Sequence, residues 1–319
     1  MHSILILIIS FIAMLWAANH LVLGASDLAQ RFAIPPLLIG LTVVALGTSL
    51  PELVFSIIDS LKNEDNIILG NSIGSNIANI GLVLGITILI KPKALNYHNL
   101  KKTYPILIIA MLFVYSLILD GYLSRIDGCL LLIGCLIVIS VFIYLAYHST
   151  PKDPVINQFK NAMVTSRSLK TNITSVILGL VVLPISSKYI VTNAMELASW
   201  MNINALALGL TIQAIGTTLP ELSTAVLAAL KGEEDLAVGT ILGSNIYNLL
   251  LILAFPALIN PSKINTIILW RDMPIMLFLA IFLVFLNYNY KKSLSPWHGG
   301  VLVLVYCCYI LSLIIKAQA

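Results

Sequence analysis

Charge is what this sequence has least of. Of its 319 residues only 10% are Asp, Glu, Lys or Arg, and 59% are hydrophobic. A soluble chain of this size would carry about a quarter charged residues. Uncharged apolar runs recur from end to end, each near the ~20 residues that cross a bilayer, which leaves no room for a soluble domain. Cysteine is nearly as scarce: Cys129, Cys135, Cys307 and Cys308 all lie in apolar runs without a CxxC pair. That excludes a disulfide framework and a sulfur-bound zinc site, and the thiols read as small hydrophobes. Of the five histidines only His20 falls clearly inside an apolar run. No base therefore stands near a serine for nucleophilic hydrolysis, and an intramembrane enzyme is a remote reading. The opening "MHSILILIISFIAMLWAANHLVLG" lacks the basic leader of a cleaved signal and reads as a first span. The net charge of +4 is loop bias, with no case for nucleic acid.

What is present is ordered. Ten candidate spans lie near 3–31, 36–61, 66–90, 104–119, 127–147, 172–200, 204–230, 236–259, 270–289 and 297–315. With both termini outside, 12 of the 18 Lys and Arg residues fall in cytoplasmic loops, as membrane orientation requires. The expected fold is thus an all-α polytopic membrane protein of ten transmembrane helices. Residues 1–150 form a first repeat, 151–171 a cytoplasmic linker, and 172–319 a second repeat. The repeat itself is explicit. A shift of 169 residues lays Gly40–Asn79 on Gly209–Asn248 without a gap, with 19 of 40 positions identical. Five spans separate corresponding points, so the copies enter the membrane from opposite sides. Such inverted duplication is a transporter architecture, with substrate sites at the repeat interface.

The two copies carry the chemistry. "VVALGTSLPELVFSI" and "TIQAIGTTLPELSTAV" each set a glutamate, Glu52 or Glu221, after a proline inside a span. Pro51 and Pro220 have no N–H, so the carbonyls of Gly47 and Gly216 lose their helical partners and each helix is expected to break. A carboxylate at membrane depth costs ~2.5–3.5 kcal/mol, so two of them call for compensation. No arginine occurs in the motif spans, and Lys188 is the only basic residue placed inside a span. Positive charge must therefore arrive as protons or metal ions. Thr48 and Ser49 accompany Glu52, and "GNSIGSNIANIG" adds Ser75 and Asn79 four residues apart. The second copy supplies Thr217, Thr218, Glu221, Ser244 and Asn248. Every group offers oxygen, and oxygen ligands with two carboxylates suit calcium or sodium. Zinc, copper or nickel would recruit nitrogen or sulfur. The charged stretches "KNEDN" (62–66) and "KGEED" (231–235) read as solvated turns, and Asp27 and Glu196 are left out of the site.

At "GTSLPEL…GNSIGSNIANIG" and "GTTLPEL…GTILGSNIYNLL" the sequence resembles the sodium/calcium exchanger family, in its compact prokaryotic branch. The resemblance spans essentially the whole chain and implies two inverted five-helix halves with interrupted helices at the motifs. It implies Ca2+/Na+ antiport by alternating access, with Ca2+ export driven by the sodium gradient and no cofactor. Coupling to H+ or dependence on K+ are the alternatives. The implied partners are Ca2+, Na+ and the lipid bilayer of a prokaryotic cytoplasmic membrane, with a monomer as the working state. The family's ligands fall on the ten residues above, together with the main-chain carbonyls of Ala45 and Ala214. There are departures. Thr218 replaces the commoner serine, Gln213 stands opposite Val44, and Thr240 opposite Asn71. Asn248 occupies a position that is acidic in some relatives, which leaves two formal charges in the site.

Overall fold

The computed structural model describes residues 2–61, 65–92, 103–147, 167–200, 216–289 and 295–318. Helix α1 is His2–Arg31. Helices α2 (Pro36–Thr48) and α3 (Leu50–Leu61) form one run bent by 41°. Helix α4 (Asp65–Ala78) passes through a π-helical turn, Asn79–Leu84, into α5 (Gly85–Ile90). Then come α6 (Thr103–Ile118), α7 (Arg125–Tyr147) and α8 (Leu169–Trp200). Helix α9 is Leu219–Leu230. Helix α10 (Glu234–Tyr247) passes through a second π turn, Asn248–Ile252, into α11 (Ala254–Ile259). A π turn at Ile268–Asp272 opens α12 (Met273–Asn289), and α13 is Pro296–Gln318. Each of the ten apolar runs contains a helix, although the first half of the seventh lies outside the described residues. Among the described residues, seven helical runs, counting α4–α5 and α10–α11 as one each, are long and apolar enough to cross a membrane, and the bent α2–α3 run makes eight.

The helices divide by what surrounds them. In the apolar window of α10–α11, 94% of residues are buried, and in that of α4–α5, 72%. For α7 the share is 17%, and Ile133, Leu136, Ile137 and Tyr144 point outward. A helix apolar all round belongs in a core or against lipid. The motif-bearing helices take the core, and α7 takes the lipid face. Close approach inside the core rests on absent side chains, as expected where lipid removes the hydrophobic drive between helices. Gly40 of α2 meets Gly239 of α10 so tightly that a Cβ on Gly239 would sit 2.3 Å from the Leu37 carbonyl oxygen. Helices α1 and α8 also pack along one another. There, Gly24 faces the Asn172 carbonyl and Gly179 faces Leu21. Gly24 and Gly40 are thus contact positions. Gly70 and Gly74, which look from the sequence like contact glycines, have nothing within 4 Å of a Cβ position, while their repeat counterparts Gly239 and Gly243 lie against α2.

Contacts at the helix ends bear on the expected loops. Tyr122–Leu123 (β1) and Ser262–Lys263 (β2) pair antiparallel, joining two connections that the lysine and arginine count puts on one side. At another end the Ser26 hydroxyl donates to the Glu233 carboxylate, tying α1 to the turn between α9 and α10. That corrects the reading of "KGEED" as a solvated turn, since Glu233 is half-buried. Burial pushes its carboxyl above the ordinary value; the Ser26 hydrogen bond opposes this, and Glu234 and Asp27 add to it. A carboxyl raised in the folded state holds its proton more tightly there than when unfolded. Wild-type stability should therefore fall as pH rises above about 4.5, through the raised value, and Glu233→Gln should lack that loss. Thermal unfolding in detergent should show the glutamine variant gaining on wild type from about pH 4 to about pH 7.5. An equal difference at both pH values would refute this.

Candidate cation site

The bend between α2 and α3 is built by the proline. With no N–H at Pro51 the helical ladder fails, and Ser49 takes φ −87° and ψ 2°, the bridge region between helix and extended backbone. The helix resumes with Leu53 N–H donating to the Ser49 carbonyl at 3.1 Å. The second half repeats this. Thr218 has φ −89° and ψ 0°, and Leu222 N–H donates to its carbonyl at 2.9 Å. Each glutamate then falls in the first turn of a new helix, Glu52 in α3 and Glu221 in α9. Negative charge is favoured there by the helix dipole. Glu52 is 2% exposed and Glu221 1%, and they are near enough for their charges to repel. Neither is ion-paired to a lysine or arginine among the described residues. Lys188 lies on the exposed side of α8.

The two halves interlock at this level. The Ser49 hydroxyl donates to Glu221 Oε1 at 3.5 Å, and Thr48 Oγ1 lies 3.4 Å from Ser244 Oγ. First-half hydroxyls thus reach second-half ligands. Asn76 Nδ2 donates to the carbonyl of Asn245 at 3.1 Å, a contact between repeat counterparts that ties α4 to α10. Helix α3 lies along the second π turn and α11, and α9 along the first π turn and α5. The second element of each broken run therefore packs on the far half of the opposite repeat.

Ser75, Asn79, Thr217, Thr218, Ser244 and Asn248 are each at most 7% exposed. The Ala45 carbonyl accepts both Ser49 N–H at 3.1 Å and Thr48 Oγ1 at 3.2 Å. Ala214 and Gln213 lie outside the described residues. The decisive feature is what these groups do not bond. Glu52 Oε2, Glu221 Oε2, Ser75 Oγ, Asn248 Oδ1 and both amide atoms of Asn79 are buried without a hydrogen-bond partner among the described residues. Buried polar atoms are ordinarily satisfied. Some buried hydroxyls elsewhere bond back to a carbonyl one turn earlier, as Ser60 does to Ser56 and Thr87 to Val83, while Ser72 and Thr224 share the unpartnered state. Both glutamates are among these atoms, one from each repeat, and a buried carboxylate without a partner calls for a compensating charge. The donor set is oxygen throughout, which fits Ca2+ and Na+.

The π turns were not legible in the residue pattern. Of the four among the described residues, two begin at Asn79 and Asn248, predicted ligands at the same repeat offset, and the others at Gly40 and Ile268. A π turn is rare and clusters at functional positions. The one sequence hint was the pairing of the two asparagines at matched positions.

The family model for "Sodium/calcium exchanger protein" matches residues 2–150 and 171–315. The chain belongs to the sodium/calcium exchanger family. This is a family of membrane cation exchangers, not of enzymes, so the serines and glutamates need no hydrolytic role. The inner membrane protein YrbG of Escherichia coli (strain K12) is 36% identical over 301 residues, covering 93% of this chain and 92% of that protein. The sodium/calcium exchanger MaX1 of Methanosarcina acetivorans is 28% identical over 345 residues, covering 98% of each. A solved structure of the sodium-calcium exchanger NCX_Mj, soaked with 2.5 mM Na+ and 0.1 mM Ca2+, superimposes with a TM-score of 0.83 at 28% identity. It covers 98% of this chain and 99% of that one. The likeness to this exchanger thus runs through both repeats and not the motifs alone.

Proposed function

We propose that this exchanger-family chain carries Ca2+ against Na+ through the site around Glu52 and Glu221, and that the sodium gradient drives Ca2+ export. The observation that carries this reading is the pair of buried glutamates, one from each repeat, with Oε2 of each unpartnered among the described residues and Ser49 of one half reaching Glu221 of the other. One Ca2+ brings two charges to two glutamates, and Na+ competes for the same oxygens with less charge. The ligands are Thr48, Ser49, Glu52, Ser75 and Asn79, then Thr217, Thr218, Glu221, Ser244 and Asn248, with the carbonyls of Ala45 and Ala214. The fold supporting the site is ten helices in two inverted halves, residues 1–150 and 172–319, joined by 151–171, with both termini outside. Matched backbone angles at Ser49 and Thr218, matched π turns and the Asn76–Asn245 contact support that duplication.

An empty site leaves two buried carboxylates repelling, so occupied forms cross between inward- and outward-facing states more readily than the empty form. Exchange follows from that difference, because a ligand shifts such an equilibrium only through differential interaction with the two states. The test is Ca2+ uptake into proteoliposomes with imposed Na+, K+ or H+ gradients. Outward Na+ gradients should drive uptake, and K+ or H+ gradients alone should not. Uptake driven equally well by H+ with Na+ absent would overturn the sodium assignment.

A further inference from the structure

Pro220 leaves the Gly216 carbonyl without its helical N–H, yet that carbonyl is not orphaned. Ser187, buried in α8, donates its hydroxyl to the Gly216 oxygen at 2.6 Å. The partner comes from outside the broken run, on the helix that also packs along α1. Two apolar contacts flank it. Leu180 Cδ2 lies 2.0 Å from where a Cβ on Gly47 would stand, and Val191 Cγ2 lies 2.0 Å from the same point on Gly216. One face of α8 therefore touches the breaks of both halves, since 180, 184, 187 and 191 follow helical spacing. Between the two contacts stands Pro184, inside the helix, which removes the N–H owed to the Leu180 carbonyl and makes this the point where α8 bends most easily. The arrangement is one-sided. Under the 169-residue shift Ser187 falls on Ala18 and Pro184 on Leu15, so α1 has neither the hydroxyl nor the hinge.

We propose that Ser187 is a positioning residue for the cation site: its hydroxyl holds the broken turn of the second half against α8, and the bond opens when that turn rearranges during exchange. This rests on the antiport reading above. Thr217, Thr218 and Glu221 follow Gly216 directly, so the bond sets how they are presented. Removing the hydroxyl strands a buried carbonyl in the docked arrangement. The binding-competent fraction falls, and apparent affinity falls with it. The turnover step does not lose a bond it needs, because the bond must break in any case.

The experiment compares Ser187→Ala and Ser187→Thr with wild type, as full-length protein in proteoliposomes and in detergent. Ser187→Ala should raise the KM for Ca2+ on the order of tenfold without lowering the maximal rate. Ser187→Thr keeps a hydroxyl and should return the KM to the wild-type value. The Ca2+ concentration that half-maximally raises the unfolding temperature should move in parallel with the KM. A wild-type KM in Ser187→Ala would overturn the proposal. So would parallel loss of maximal rate and unfolding temperature at constant KM, or failure of threonine to restore the KM. If wild type shows no sodium-driven uptake but the Ca2+ midpoint still shifts in Ser187→Ala, the antiport reading fails and the role of Ser187 stands.

Discussion

Glu52→Gln and Glu221→Gln are each expected to lower sodium-driven Ca2+ uptake by at least about a hundredfold. The figure follows from taking one member out of a buried charge pairing, here carboxylate and bound cation, which costs about 3–5 kcal/mol. Glutamine keeps the shape and one oxygen but gives up half of the formal charge facing the ion. The same substitution has the opposite effect on the empty protein. Without a cation the two carboxylates repel in a dry setting, so deleting one charge should raise the cation-free unfolding temperature. Ligand stabilisation scales with occupancy of the folded state, and the rise in unfolding temperature on adding Ca2+ should disappear in both variants. Uptake and unfolding therefore move apart. A general folding defect would depress both. Robust uptake in either variant would remove that glutamate from the site.

Gly239→Ala is expected to destabilise the protein by about 3 kcal/mol, at the upper end of what overpacking a core costs. The new methyl would lie 2.3 Å from the Leu37 carbonyl oxygen and 3.1 Å from Gly40 Cα. Both neighbours are backbone and cannot turn aside, so α2 and α10 must separate. That separation opens the packing on which Ala45, Thr48 and Ser244 depend. Gly300→Ala is the control, because its Cβ would only touch Leu89 at 4.0 Å. Urea or thermal unfolding in detergent, with uptake in liposomes, measures both effects. Equal stability of the two variants would mean that the α2–α10 contact is looser than described.

What the sequence by itself determined is the part governed by local chemistry and by counting. Scarce charge and apolar runs near bilayer length specify membrane helices. Proline without an N–H specifies where α2 breaks, and Ser49 and Thr218 stand at those points with matching backbone angles. The fixed offset of 169 residues pairs the two glutamates, and Ser49 of one copy does reach Glu221 of the other. Only the tertiary structure decided which residues hold α1 against α8, and that Ser187 takes the Gly216 carbonyl. Only it turned Glu233 from a solvated loop charge into a half-buried partner of Ser26. It also introduced the π turns at Asn79 and Asn248. The reason is common to the first three. Each depends on residues far apart in the chain meeting at a particular depth, and a residue pattern records neither the distance between two helices nor which unsatisfied atom a neighbouring helix brings within reach.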